Sequence, residues 1–141
     1  MLSIAEYEEF LAKKDKRKAK QGWRFVGGKR IYFRSTWEAN YGRYLQFLVD
    51  NHQIAYWLHE PKTFWFEAIK RGVRTYLPDF QVFDFLGNHH WVEVKGFMDA
   101  KSQTKLKRFA KYYPDEKLTL IDKTWFKENN KQLKSLINDW E

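Results

Sequence analysis

Apolar positions along the chain change their period several times, and each change predicts an element. Ile4, Tyr7, Phe10 and Leu11 recur at helical spacing within Met1 to Leu11. Trp23 to Val26 and Lys29 to Phe33 read as two short strands around a Gly27-Gly28 turn. Ser35 has the chemistry of an N-cap, with Glu38 three positions later completing a capping-box pattern. A helix to about Val49 follows, with Trp37, Tyr41, Tyr44, Leu45 and Leu48 as its apolar stripe. Ile54 to Phe66 has the β-branched and aromatic bias of a strand, interrupted at Pro61, and Arg71-Gly72 turns the chain toward Val73 to Leu77. Phe80 and Val82 alternate with Gln81 and Phe83, which predicts a strand partly covered on both faces. Gly87-Asn88 turns it back. Asp99 then caps a helix with Leu106, Phe109, Ala110 and Tyr113 as its apolar positions, and Pro114 stops it. Lys117 to Ile121 is a further strand, and a last helix from about Thr124 puts Leu133, Leu136, Ile137 and Trp140 on one side.

This pattern needs one domain over 23–141, preceded by a basic helix or arm over 1–22. The length of 141 residues is enough to bury a core, and an aromatic content of 19% with seven Trp predicts one built from large rings. Zero cysteines exclude disulfides, thiolate zinc sites and a cysteine nucleophile. No apolar run is long enough for a membrane helix and the first residues lack a signal-peptide pattern, so a soluble, cytoplasmic protein is expected. Lys and Arg number 26 against 18 Asp and Glu, a net charge of +8 that favours a polyanionic partner. Charge is densest between Lys13 and Lys20, where Lys13, Lys14, Lys16, Arg17, Lys18 and Lys20 crowd together. Such a run is either a solvated, self-repelling segment or an arm that orders on DNA. Lys101, Lys105, Arg108 and Lys111 make the polar face of the helix after Asp99, either simply solvated or a phosphate track.

Chemistry concentrates between Tyr76 and Lys95. One strand carries Asp79 in and its partner brings Glu93 back beside it, while Glu93 and Lys95, two apart, share a face opposite Val92 and Val94. Two adjacent carboxylates repel unless a cation lies between them, and hard oxygen donors suit Mg²⁺ or Mn²⁺ together with phosphate oxygens. The alternative is a cross-strand salt-bridge cluster. Glu38 either caps its helix or positions the metal, and the two roles are compatible. His52, His59, His89 and His90 lack the spacing of a zinc site and stand outside the expected catalytic set. There is no Gly-rich loop ending in Lys-Ser/Thr, which argues against an ATP-driven enzyme.

Pro78-Asp79, Glu93-Val94-Lys95 with Gly96 behind it, and Glu38 upstream resemble the signature of the PD-(D/E)XK nucleases. The likeness runs from about Arg34 to Asp122, and is nearest to small phage enzymes of the endonuclease I type, which resolve four-way junctions, and to the transposase endonuclease subunit. It implies an α/β, restriction-endonuclease-like core with a mixed central β-sheet flanked by helices. It implies catalytic Glu38, Asp79, Glu93 and Lys95, and Mg²⁺, replaceable by Mn²⁺, on Asp79, Glu93 and the Val94 carbonyl. Lys95 would face the attacking water or the scissile phosphate. The implied function is a DNA endonuclease selective for branched DNA, acting as a homodimer, in the host cytoplasm if phage-encoded. A sequence-specific restriction or homing enzyme, and a non-catalytic DNA-binding protein on a nuclease scaffold, are the alternatives.

Overall fold

A computed structural model describes residues 1, 3–9 and 20–141. Residues 4–9 are helical. The expected apolar positions Phe10 and Leu11, and most of the basic run, lie outside the described residues.

The Gly27-Gly28 pair makes a two-residue hairpin between β1 (Gly22–Val26) and β2 (Lys29–Phe33), because φ is +63° and +74° at the two glycines. Positive φ at both central positions gives a turn whose twist matches that of the strands. Helix α1 (Thr36–Asp50) follows, with the Ser35 hydroxyl accepting from the Glu38 N–H at 3.1 Å. Its far end closes without glycine. Gln53 N–H donates to the Leu48 carbonyl at 2.8 Å and His52 N–H to that of Val49 at 3.0 Å, with His52 at φ +57°. This is a Schellman closure with histidine in the left-handed seat.

The central sheet runs β3 (Tyr56–His59), β6 (Phe80–Phe83), β7 (His89–Val94), β8 (Leu118–Ile121). Between β3 and β6 the chain makes a small ribbon of β4 (Phe64–Trp65) and β5 (Thr75–Tyr76). The first two pairings of the central sheet are antiparallel and β7–β8 is parallel, so the sheet is mixed, as expected. The parallel pair requires a crossover, which α2 (Ala100–Tyr112) supplies. Helix α3 (Lys123–Leu136) follows β8.

Both faces of the sheet are covered. Phe80, Val82 and Val92 face Tyr41 and Leu45 of α1 and Phe126 and Leu133 of α3. Trp91 faces the other way, toward Phe64, Tyr76 and Phe109 of α2. Ile4 and Tyr7 are exposed, and on the last two helices two expected apolar positions also fall outside these clusters. Ala110 is exposed, and the α2 cluster is completed by Tyr112 and Tyr113 instead. Leu136 is 52% exposed because the helix ends there, and Trp140 returns to the core from the tail beyond it.

Candidate metal and phosphate site

Strand register explains why the carboxylates meet. Phe80 pairs with Val92, so the next position outward sets Asp79 opposite Glu93. Asp79 occupies a bend just before β6, and its carboxylate accepts from the Val94 N–H at 2.8 Å. Its own carbonyl accepts from the Glu60 N–H at 2.9 Å, which ties the end of β3 to the same spot. Val94 thus contributes its N–H to Asp79, while its side chain packs on the α1 core.

Glu38 enters from the first turn of α1 and is only 3% exposed. One carboxylate oxygen accepts from the Arg34 N–H at 3.1 Å, and the other lies 2.6 Å from His59 Nε2. Since the Glu38 N–H also bonds Ser35, a single residue both completes the helix cap and presents a buried acid to the sheet. Glu60 adds another carboxylate, 4.0 Å from His59 Nε2 and 3.4 Å from Arg34 Nε. Ligand atoms of Glu38, His59 and Glu60 all lie within 4.8 Å of one another. Glu60 holds φ at +47°, a conformation that costs a non-glycine residue about 1–2 kcal/mol. Glu93, on β7, accepts from the Tyr76 hydroxyl at 2.8 Å.

The charges in this pocket do not tolerate one another. Burial first, then the negative charges of Glu93 and Glu38, push the Asp79 carboxyl up to about 9, although the Val94 N–H pulls the other way. Burial likewise raises Glu93, against the Tyr76 hydroxyl, Lys95 and Lys105, which pull it down. Burial and the Glu93 charge together drive the Tyr76 hydroxyl upward, keeping it a donor. An oxygen-rich pocket whose acids resist ionising together fits a hard divalent cation, which supplies the missing positive charge.

Lys95 is half-buried, with its N–H on the Ile121 carbonyl at 2.9 Å. Its side chain helps line a cavity of about 30 Å³, shared with Tyr76, Glu93, Ser102 and Lys105. That is about the volume of one water molecule. Immediately afterwards the chain passes under α1. A Cβ built on Gly96 would stand 3.0 Å from the Trp37 ring, so any larger residue there would require the indole to give by a few tenths of an ångström.

The structure therefore gathers Glu38, Asp79, Glu93 and Lys95 and adds His59 and Glu60, which stand outside the set expected from sequence. One signal for them was available. His59 pairs with Phe80, so the residue after it falls beside Asp79, and an acid preceding Pro61 at that strand end is a marked choice. The positive φ of Glu60 has no sequence signature.

Of the expected phosphate-binding residues, Lys13, Lys14, Lys16, Arg17 and Lys18 lie outside the described residues, and Lys20 is exposed. Lys101 and Lys111 are exposed on α2 and Lys105 is half-buried beside Glu93. Arg108 donates to the Val73 carbonyl, which ties that guanidinium to the loop before β5. No helix among the described residues is long and apolar enough to cross a membrane.

Residues 15–129 match the family described as protein of unknown function (DUF1064). No curated protein and no solved structure matches the chain.

Proposed function

The chain belongs to the DUF1064 family, and from its carboxylate site we propose that it is a metal-dependent DNA endonuclease selective for branched DNA. The observation that carries the reading is the convergence of Glu38, Glu60, Asp79 and Glu93 from separate chain segments, with Lys95 beside them and Asp79 pushed up to about 9. A salt-bridge cluster would balance its acids with cations. Here acids outnumber the cations that touch them.

In this reading Asp79, Glu93 and the Val94 carbonyl would hold Mg²⁺ or Mn²⁺, which supplies an activated water and charge neutralisation at phosphorus. The chain's own groups do the rest. Lys95, on the Glu93 face of β7, orients the water or offsets charge developing on the phosphate. The Tyr76 hydroxyl fixes the Glu93 carboxylate, and Val94 N–H fixes that of Asp79, so both acids are oriented before any ion arrives. His59 holds Glu38 at the rim in the same way. The net charge of +8 supplies affinity for phosphates, with selectivity coming from the shape of the DNA. Resolving a four-way junction requires two cuts, so the reading includes a homodimer, acting in the cytoplasm.

Incubation of linear duplex, single strand, fork and four-way junction with the protein, with and without Mg²⁺, tests this. Cleavage should require the ion, favour the branched substrates and disappear in Asp79→Ala and Glu93→Ala, while both variants still bind DNA. Cleavage at near wild-type rate by either variant would sink the site assignment. Binding without cleavage by the wild-type protein would leave a DNA-binding protein on this scaffold.

A further inference from the structure

A groove of about 620 Å³ runs between the β1–β2 hairpin and strand β3, and it ends at His59 and Glu60. That volume falls within the roughly 300–1,000 Å³ of ligand-binding pockets. Its walls carry the large aromatics Trp23, Tyr32 and Tyr56, which remain 57%, 41% and 48% exposed. Trp23 and Tyr32 are paired across the hairpin with ring centroids 5.6 Å apart, and the Arg30 guanidinium lies 4.4 Å over the indole. Lys29, Arg30 and Arg34 line the groove, and Glu60 is the one carboxylate among its described lining residues. Hydrophobic rings left half in water, interleaved with cations and leading to a phosphate-handling site, are the composition of a single-strand binding track. A duplex offers its bases only at groove edges, so such rings would have little to stack against.

We propose that this groove seats an unpaired strand of the DNA, its bases against Trp23 and Tyr32 and its phosphates against Arg30 and Arg34, and delivers the next phosphate to the Asp79 site. The proposal rests on the nuclease reading and specifies the feature that a branched substrate presents, a strand leaving the duplex. Arg34 joins the two regions. Its N–H binds Glu38 and its guanidinium lies at the groove beside Glu60, so an occupied groove bears directly on the carboxylate cluster. Among the described residues, strand β3 pairs only with β6 in the central sheet, and its outer edge borders this groove.

The test is fluorescence anisotropy in EDTA, where nothing is cut, with labelled oligo-dT, a blunt duplex, and that duplex carrying a single-stranded extension. Trp23→Ala and Tyr32→Ala should each weaken binding of oligo-dT and of the extended duplex about tenfold, the loss of one stacking platform, and change blunt-duplex binding less than twofold. Trp23→Phe, which keeps a ring, should retain most of the affinity, and circular dichroism should show every variant folded. Equal losses on all three DNAs, or no loss on any, would overturn the proposal. The second result would assign the groove to another occupant, such as a peptide strand added along the β3 edge. Failure here is separable from failure of the nuclease reading. Ring-dependent single-strand binding by a protein that never cuts in Mg²⁺ sinks only the catalysis, whereas Asp79-dependent cutting with ring variants that bind like wild type sinks only the groove.

Discussion

Asp79 bears a heavy electrostatic burden among the acids of the site. Its carboxyl holds a proton in the folded protein up to about pH 9 but loses it near pH 4 once unfolded. The folded state therefore binds more protons between those values, and stability falls as pH rises through that window. His90, whose pKa is lowered chiefly by burial, acts in the opposite direction and only near the low end of that window, while Glu93, raised by burial, adds to the decline. We expect Tm in EDTA to decline from pH 7 to 9, and Mg²⁺ to flatten that decline, since a bound cation lets Asp79 ionise in the folded state as well. A decline of equal slope with and without Mg²⁺ would mean that no cation meets Asp79. Glu60 supplies a second prediction at this scale. Glycine relieves its φ of +47° while alanine does not, so Glu60→Gly should be more stable than Glu60→Ala by about 1 kcal/mol in urea denaturation, with cleavage impaired in both. Equal stability would show that the backbone there is not strained. Asp79, Glu93 and Lys95 are legible because strand alternation and a Gly-Asn turn are local signals. His59 and Glu60 are only hinted at by the acid before Pro61, since their membership depends on how β3 registers against β6, across an insertion containing the β4–β5 ribbon.

Among the elements, α1 is the most readable in sequence, from its Ser35 cap through its aromatic stripe. The pattern ends it near Val49 and the structure at Asp50, with Asn51 as the C-cap and His52 in the left-handed position after it, a seat that glycine usually takes. His52→Gly should therefore stabilise the protein by up to about 1 kcal/mol, read as a higher urea midpoint at unchanged m-value. His52 is exposed, at the opposite end of α1 from Glu38, so cleavage should not change. A lower midpoint would mean that the imidazole contributes more at this corner than the strain removes. The long extended stretch from Ile54 to Phe66 is the least faithful to its pattern. It contains two strands belonging to different sheets, and Pro61 marks the break between them without indicating that the partners change.

For the molecule as a whole, the mixed sheet and its covering helices position the site by bringing the start of α1, the end of β3, the bend before β6 and the end of β7 to one edge. Affinity is a separate matter, and the basic run from Lys13 to Lys20 is its strongest sequence signal. Deleting it should weaken DNA binding across sequences and flatten the dependence of log K on log salt by roughly 0.9 for each phosphate no longer neutralised. Saturating protein should still cut. An unchanged slope in a salt titration would reduce the run to a solvated tail. Gly96 and Trp37 lie far apart in the chain, yet one is the space the other fills. The two positions are thus coupled by contact. In a relative that keeps Glu-x-Lys but replaces the glycine, the indole opposite should shift or be replaced, and an alignment of DUF1064 sequences should show those two columns changing together.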